Sequence, residues 1–173
     1  MLARDYDGSF GYIEDAFGHQ PLAGMIARSE FAYFKFAFAR NPWDRLVSAF
    51  FYLDQGGCNE HDRAFRAAHL ARYEGNFNAF VYDLDQHLDA IHMRPQCHWL
   101  CDAKGVLLAD FVGRFETLAQ DFAGIAARFQ LNAPLQHLNS SRHRFYRDHY
   151  DNETRAMVHR VYRQDIETFG YRF

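Results

Sequence analysis

The sequence predicts an α/β fold, a parallel sheet flanked by helices, in a single domain spanning residues 1–173. Three observations carry that expectation. Phe34, Phe36 and Phe38 alternate with Lys35, Ala37 and Ala39, the period of a strand, and Ala on the second face suits a strand packed on both sides. The chain turns at once into Trp43, Leu46, Val47, Phe50 and Leu53, whose spacing is that of an amphipathic helix. Further helical stripes recur at Leu118, Phe122, Ile125, Ala126 and Phe129, and at Met157, Val158, Val161, Tyr162 and Ile166.

Taken in order, residues 1–18 mix Gly, Asp and aromatic side chains without a period and read as loop around one short element. Pro21 starts a short helix ending near Arg28. The strand 34–39 follows, and Asn41 then supplies an N-cap, Pro42 the first helical position and Asp44 an acid in the electropositive first turn. Gln55-Gly56-Gly57-Cys58-Asn59 breaks that helix, and a polar, partly helical stretch leads to a second helix from Asn76, with Phe77, Phe80, Val81, Leu84 and Leu88 on its buried side. Trp99–Cys101 and Val106–Val112 read as two short strands joined by Asp102-Ala103-Lys104-Gly105. A helix spans 116–129, a polar arginine-rich loop covers 138–147, and Asp151 or Asn152 caps one last helix.

Composition narrows the function classes. With 18 Phe and 17% aromatic residues the chain can build a substantial core. A net charge of −3 supplies no basic field for nucleic acid. Lys35 and Lys104 are the only lysines. Cys58, Cys97 and Cys101 are odd in number and no signal peptide precedes them, so free thiols in a reducing, cytoplasmic setting are expected. Cys97-His98 and Cys101 have no second ligand pair at a familiar spacing, so no metal is expected. No apolar run reaches the length of a membrane span.

The chemistry concentrates where the strand 34–39 meets its helix. Arg40 stands at the strand's carboxyl end, where open α/β sheets bind ligands, and Ser48 lies on the helix. A guanidinium beside a hydroxyl and helix N–H groups suits a phosphate. The same residues also allow a plain ion pair between Arg40 and Asp44, with Ser48 a neutral helix-face residue.

Arg40-Asn41-Pro42-Trp43-Asp44-Arg45-Leu46-Val47-Ser48-Ala49-Phe50 resembles the 3′-phosphate-binding segment of sulfotransferases that use 3′-phosphoadenosine 5′-phosphosulfate (PAPS), especially their carbohydrate-modifying branch. Asp110–Glu116, Asn139–Arg142, Tyr146, Tyr150 and Phe169-Gly170-Tyr171 are similar to later passages of that branch. The resemblance implies a P-loop nucleotide-kinase-like fold and sulfuryl transfer from PAPS to a carbohydrate hydroxyl. It assigns Arg40 and Ser48 to the 3′-phosphate; His19 is the candidate general base, against a surface His in a loop, and Ser141 and Arg142 are candidates to close over the adenosine phosphate end, against a solvated basic loop. Glu116 is a weaker candidate for the base, and Gln96 and Arg114 are weaker candidates for ligand contact.

One departure from that pattern has chemical weight. The family holds the 5′-phosphosulfate with a loop of Lys, Gly and Ser or Thr ahead of the segment quoted, and residues 1–18 contain no lysine. Without that cation the leaving oxygen's growing charge is not neutralised. The sequence therefore predicts a domain truncated at its N-terminus and inactive alone. The alternative is a degenerate, non-catalytic domain that binds 3′-phosphoadenosine 5′-phosphate (PAP) or serves as an interaction module. A nucleoside or nucleotide kinase relative fits the Arg40–Phe50 segment less well.

Overall fold

The structure is a computed structural model that describes residues 2–4, 10–12, 21–27, 34–131 and 145–173. The chain divides into two compact units, one of residues 1–39 and 95–134, the other of residues 40–94 and 135–173.

In the first unit, β1 (Leu2–Arg4) pairs antiparallel with β2 (Phe10–Tyr12), so the stretch expected to be loop holds a short two-stranded ribbon. Helix α1 (Leu22–Ala27) follows Pro21 as expected. The aromatic strand is β3 (Phe36–Ala39), parallel to β4 (Phe111–Arg114), with Phe36 opposite Phe111 and Ala39 opposite Arg114. Gly113 leaves room for the neighbouring strand's ring: a Cβ there would stand 2.5 Å from the Phe38 ring. The ladder is fastened at its start by Lys35, whose Nζ and backbone N–H both donate to Asp110 Oδ2, at 2.6 and 2.7 Å.

The expected strand pair around residues 102–105 is corrected. Cys97–Leu100 forms a helical turn, α5, and a single antiparallel bridge, Cys101 with Leu107, remains of the pairing. Asp102 Oδ1 accepts from the Lys104 and Val106 N–H groups and so closes a tight side-chain turn too short to grow a ladder. Helix α6 (Leu118–Phe129) turns Leu118, Phe122, Ile125, Ala126 and Phe129 inward, the stripe read from the sequence, and ends at Gln130 in the left-handed region (φ 54°).

The second unit is helical and carries the larger core. Helix α2 (Pro42–Asp54) buries Trp43, Leu46, Val47, Phe50 and Leu53. Asn41 caps it, its Oδ1 accepting from Trp43 N–H at 3.1 Å. After the glycine break, α3 (Glu60–Phe65) runs into a π turn (Arg66–Leu70) and a 3₁₀ turn (Ala71–Tyr73). Helix α4 (Phe77–Tyr82), capped by Asn76, ends sooner than the stripe predicts, with Leu84 carried in a 3₁₀ turn (Leu84–His87). The last predicted helix is two: α7 (Asn152–Val161) and α8 (Arg163–Phe169), separated where Tyr162 leaves helical geometry (φ −100°, ψ 26°). Tyr162 is fully buried and donates its hydroxyl to the Met93 carbonyl at 2.6 Å, so a tertiary hydrogen bond sits where the helix breaks. Leu70, Phe77, Phe80, Val81, Leu84, Met93, Val158 and Ile166 fill the core with the α2 stripe.

Candidate functional site

Arg40, Asn41, Asp44 and Ser48 all belong to the second unit: the first three stand at the start of α2 and Ser48 near its middle. Arg40 Nε donates to Asp44 Oδ2 at 2.7 Å, both side chains about one-fifth exposed (19% and 18%). Ser48 follows Asp44 by four residues and is half-buried, one turn along the same helix face and about 6 Å further down the axis. Arg40 thus pairs with Asp44 across the helix start, and Ser48 stands on the helix one turn beyond Asp44. The ion pair foreseen between Arg40 and Asp44 is present.

The C-terminal segment fixes this helix end. Asn41 Nδ2 donates to the Arg172 carbonyl at 2.9 Å, and Trp43 Nε1 donates to the Arg155 carbonyl at 3.1 Å. The Tyr150 hydroxyl donates to the Trp43 carbonyl at 2.9 Å; burial holds its pKa well above the usual tyrosine value, so the proton stays in place. The Phe173 ring meets the Trp43 ring edge to face, centroids 5.5 Å apart, and the Arg155 guanidinium lies over Phe173. Two stretches far apart in sequence, 40–50 and 150–173, thus meet at one helix N-terminus.

The first turn offers fewer backbone donors than the sequence suggests. Pro42 has no N–H, the Trp43 N–H is taken by Asn41 Oδ1, and the Arg45 N–H by the Asn41 carbonyl at 2.8 Å. An anion here would rest mainly on side chains and on the helix dipole.

Arg45 and Asp165 are polar groups that the sequence reading missed. Arg45 Nη2 donates to the Arg94 carbonyl at 2.9 Å, and desolvation pulls its pKa below the usual arginine value while Tyr162 and Asp165 pull it back. Asp165, in α8, has no exposed surface. The available signal was that Arg45 directly precedes the buried Leu46.

His19, Ser141 and Arg142 lie outside the described residues. Gln96 is buried in the first unit; Arg114 ends β4 with its backbone N–H bonded to Asp121 Oδ2 at 2.7 Å, and Glu116 is exposed in a 3₁₀ turn. Cys58, Cys97 and Cys101 are all free thiols. Among the described residues no His, Cys, Asp and Glu side chains group as a metal site, and no helix is long and apolar enough to cross a membrane.

A sequence model of the sulfotransferase family matches residues 11–172. Neither a curated protein nor a solved structure gives a significant match to the chain.

Proposed function

The chain belongs to the sulfotransferase family, and from that premise we propose that it binds PAPS and directs its sulfuryl group to a hydroxyl of a carbohydrate. Arg40 and Ser48 hold the 3′-phosphate, Ser141 and Arg142 close over the adenosine phosphate end, and His19 takes the acceptor's proton. The acceptor oxygen attacks sulfur, the sulfur–oxygen bond to PAP breaks, and PAP leaves with the electron pair. Arg40 and Ser48 contribute charge-assisted and neutral hydrogen bonds to a group that does not react, so they serve binding and orientation. The observation that supports this reading is the capped start of α2, with Arg40 paired to Asp44 and Ser48 further along the same helix, inside the family match.

The test is a calorimetric titration of PAP into the parent chain, Arg40→Ala and Ser48→Ala. We expect Arg40→Ala to weaken binding by about 10- to 100-fold, the worth of a charged hydrogen bond, and Ser48→Ala by about 3- to 10-fold. Equal affinity in Arg40→Ala and the parent refutes the assignment. For His19, the expected result in a reconstituted transfer assay is a rate loss with PAP affinity unchanged.

A second reading is favoured by the lysine count. Lys35 is committed to Asp110, and Lys104 sits in the turn that Asp102 closes. Neither serves the leaving oxygen, so the chain alone binds PAP without turnover, as a non-catalytic module would. The three thiols are those of a cytoplasmic protein in this reading.

A further inference from the structure

Resting on the carbohydrate-acceptor reading, we propose that Arg147 and Arg155 anchor an acidic carbohydrate, one whose sugar rings carry carboxylate or sulfate groups. Arg147 belongs to a 3₁₀ turn (Tyr146–His149) and Arg155 to α7, both in the second unit. The Phe173 ring brings them together: its centre lies 5.5 Å from the Arg147 Cζ and 5.2 Å from the Arg155 Cζ. The two guanidiniums are therefore at most about 11 Å apart, a span that acid groups on nearby rings of one oligosaccharide can bridge. Phe173 is itself held in place, its ring meeting Trp43, Tyr146 and Tyr150 edge to face at centroid distances of 5.5, 5.6 and 5.6 Å. Arg147 also lies over the Phe145 ring, and its Nε donates to the Tyr146 hydroxyl at 3.2 Å.

Both arginines are exposed, and among the described residues neither pairs with a carboxylate. The acids nearby in sequence are otherwise engaged or make no ion pair: Asp151 caps α7 through Thr154, Glu153 accepts from the Tyr82 hydroxyl at 2.8 Å, and Asp148 bridges to neither arginine. In a chain of net charge −3 this leaves a local cationic spot rather than a general basic field. A guanidinium stacked on an aromatic ring keeps its N–H fork in its own plane, the edge that takes a carboxylate or sulfate bidentately. Ordered on rings before a ligand arrives, it loses less rotamer freedom on binding. The Phe145 side chain beside Arg147 is 61% exposed and adds an apolar surface of the kind that packs against the C–H face of a sugar. A flat apolar surface next to a fixed cation matches a sugar ring bearing an acid group.

The experiment titrates trigalacturonate, neutral maltotriose, hexaglutamate and PAP separately into the parent, Arg147→Gln, Arg155→Gln, Arg147→Lys and Phe145→Ala. The parent is expected to bind trigalacturonate at least about tenfold more tightly than maltotriose or hexaglutamate. Each Arg→Gln change should weaken trigalacturonate about tenfold, the size of one charge-assisted hydrogen bond, with PAP affinity unchanged. Arg147→Lys, which keeps the charge and loses the planar fork, should fall between, and Phe145→Ala should lose about threefold. Equal trigalacturonate affinity in the parent and both Arg→Gln variants overturns the inference. So does hexaglutamate binding as tightly as trigalacturonate, which would make the surface a seat for acidic protein segments. Loss of PAP affinity in Arg147→Gln or Arg155→Gln also overturns it, by giving these arginines to the nucleotide. Trigalacturonate binding by a chain that does not bind PAP leaves the anchor standing and removes the sulfuryl-transfer reading; PAP binding without trigalacturonate binding removes the anchor alone.

Discussion

Arg45 and Asp165 place opposite charges inside one helical unit, and their removal is the sharpest single-residue test of that interior. Arg45→Met deletes the hydrogen bond to the Arg94 carbonyl and a cation that favours the buried Asp165. The expected cost is about 1–3 kcal/mol, read as a lower urea midpoint with an unchanged slope. Gly113→Ala should cost a similar amount, about 1–3 kcal/mol, because the new methyl would overlap the Phe38 ring. At this scale the Asn41 cap and the Arg40–Asp44 pair were legible in the sequence because a capped helix start has few variants. Arg45 was not, since an arginine beside a buried stripe reads as a solvated neighbour until its head group is seen turned inward.

Two local devices stabilise the helices of the second unit. At the start of α7, Asp151 Oδ1 accepts from Thr154 N–H at 2.7 Å while Thr154 Oγ1 accepts from Asp151 N–H at 3.1 Å. Thr154→Val removes the second half of this box from a fully buried position and should cost about 1 kcal/mol. The other device is His87, which is buried, stacked on Phe80 and 3.0 Å through Nε2 from the Tyr73 hydroxyl, itself bonded to Asp83. Desolvation, then Arg72 and His69, lower the His87 pKa, and Asp83 opposes them. The folded state thus resists a proton that the unfolded chain accepts. This contribution is complete above the ordinary histidine pKa of about 6.5 and is lost as pH falls below it toward the folded value. Urea midpoints should drop between pH 7.5 and 5.5, and His87→Gln should flatten that drop. The apolar stripes disclosed most helices, but not the π turn at Arg66–Leu70 or the break at Tyr162. Those depend on partners remote in sequence, as the Tyr162 bond to Met93 illustrates.

Across the whole molecule, ligand binding and stability are linked. A nucleotide that binds only the folded chain adds about 2.7 kcal/mol at one hundred times its dissociation constant. At this size each kcal/mol moves the thermal midpoint by about 2–4 °C, so PAP should raise it by about 5–10 °C in scanning calorimetry. No shift would leave family membership without donor binding. The α/β class was legible from the aromatic alternation, and the described residues pair β3 with β4 in parallel. The division into two compact units was not, because each unit is assembled from segments far apart along the chain and no change of composition marks the seam. The Lys35 clamp has a practical corollary. Amine-directed reagents find only two side-chain targets here, Lys35 and Lys104, and acylating the first would erase the cation facing Asp110 and loosen the ladder at its opening rung. Immobilisation through the exposed thiol of Cys58 leaves that fastening intact, so biosensor work on this protein is better built on maleimide than on succinimide ester coupling.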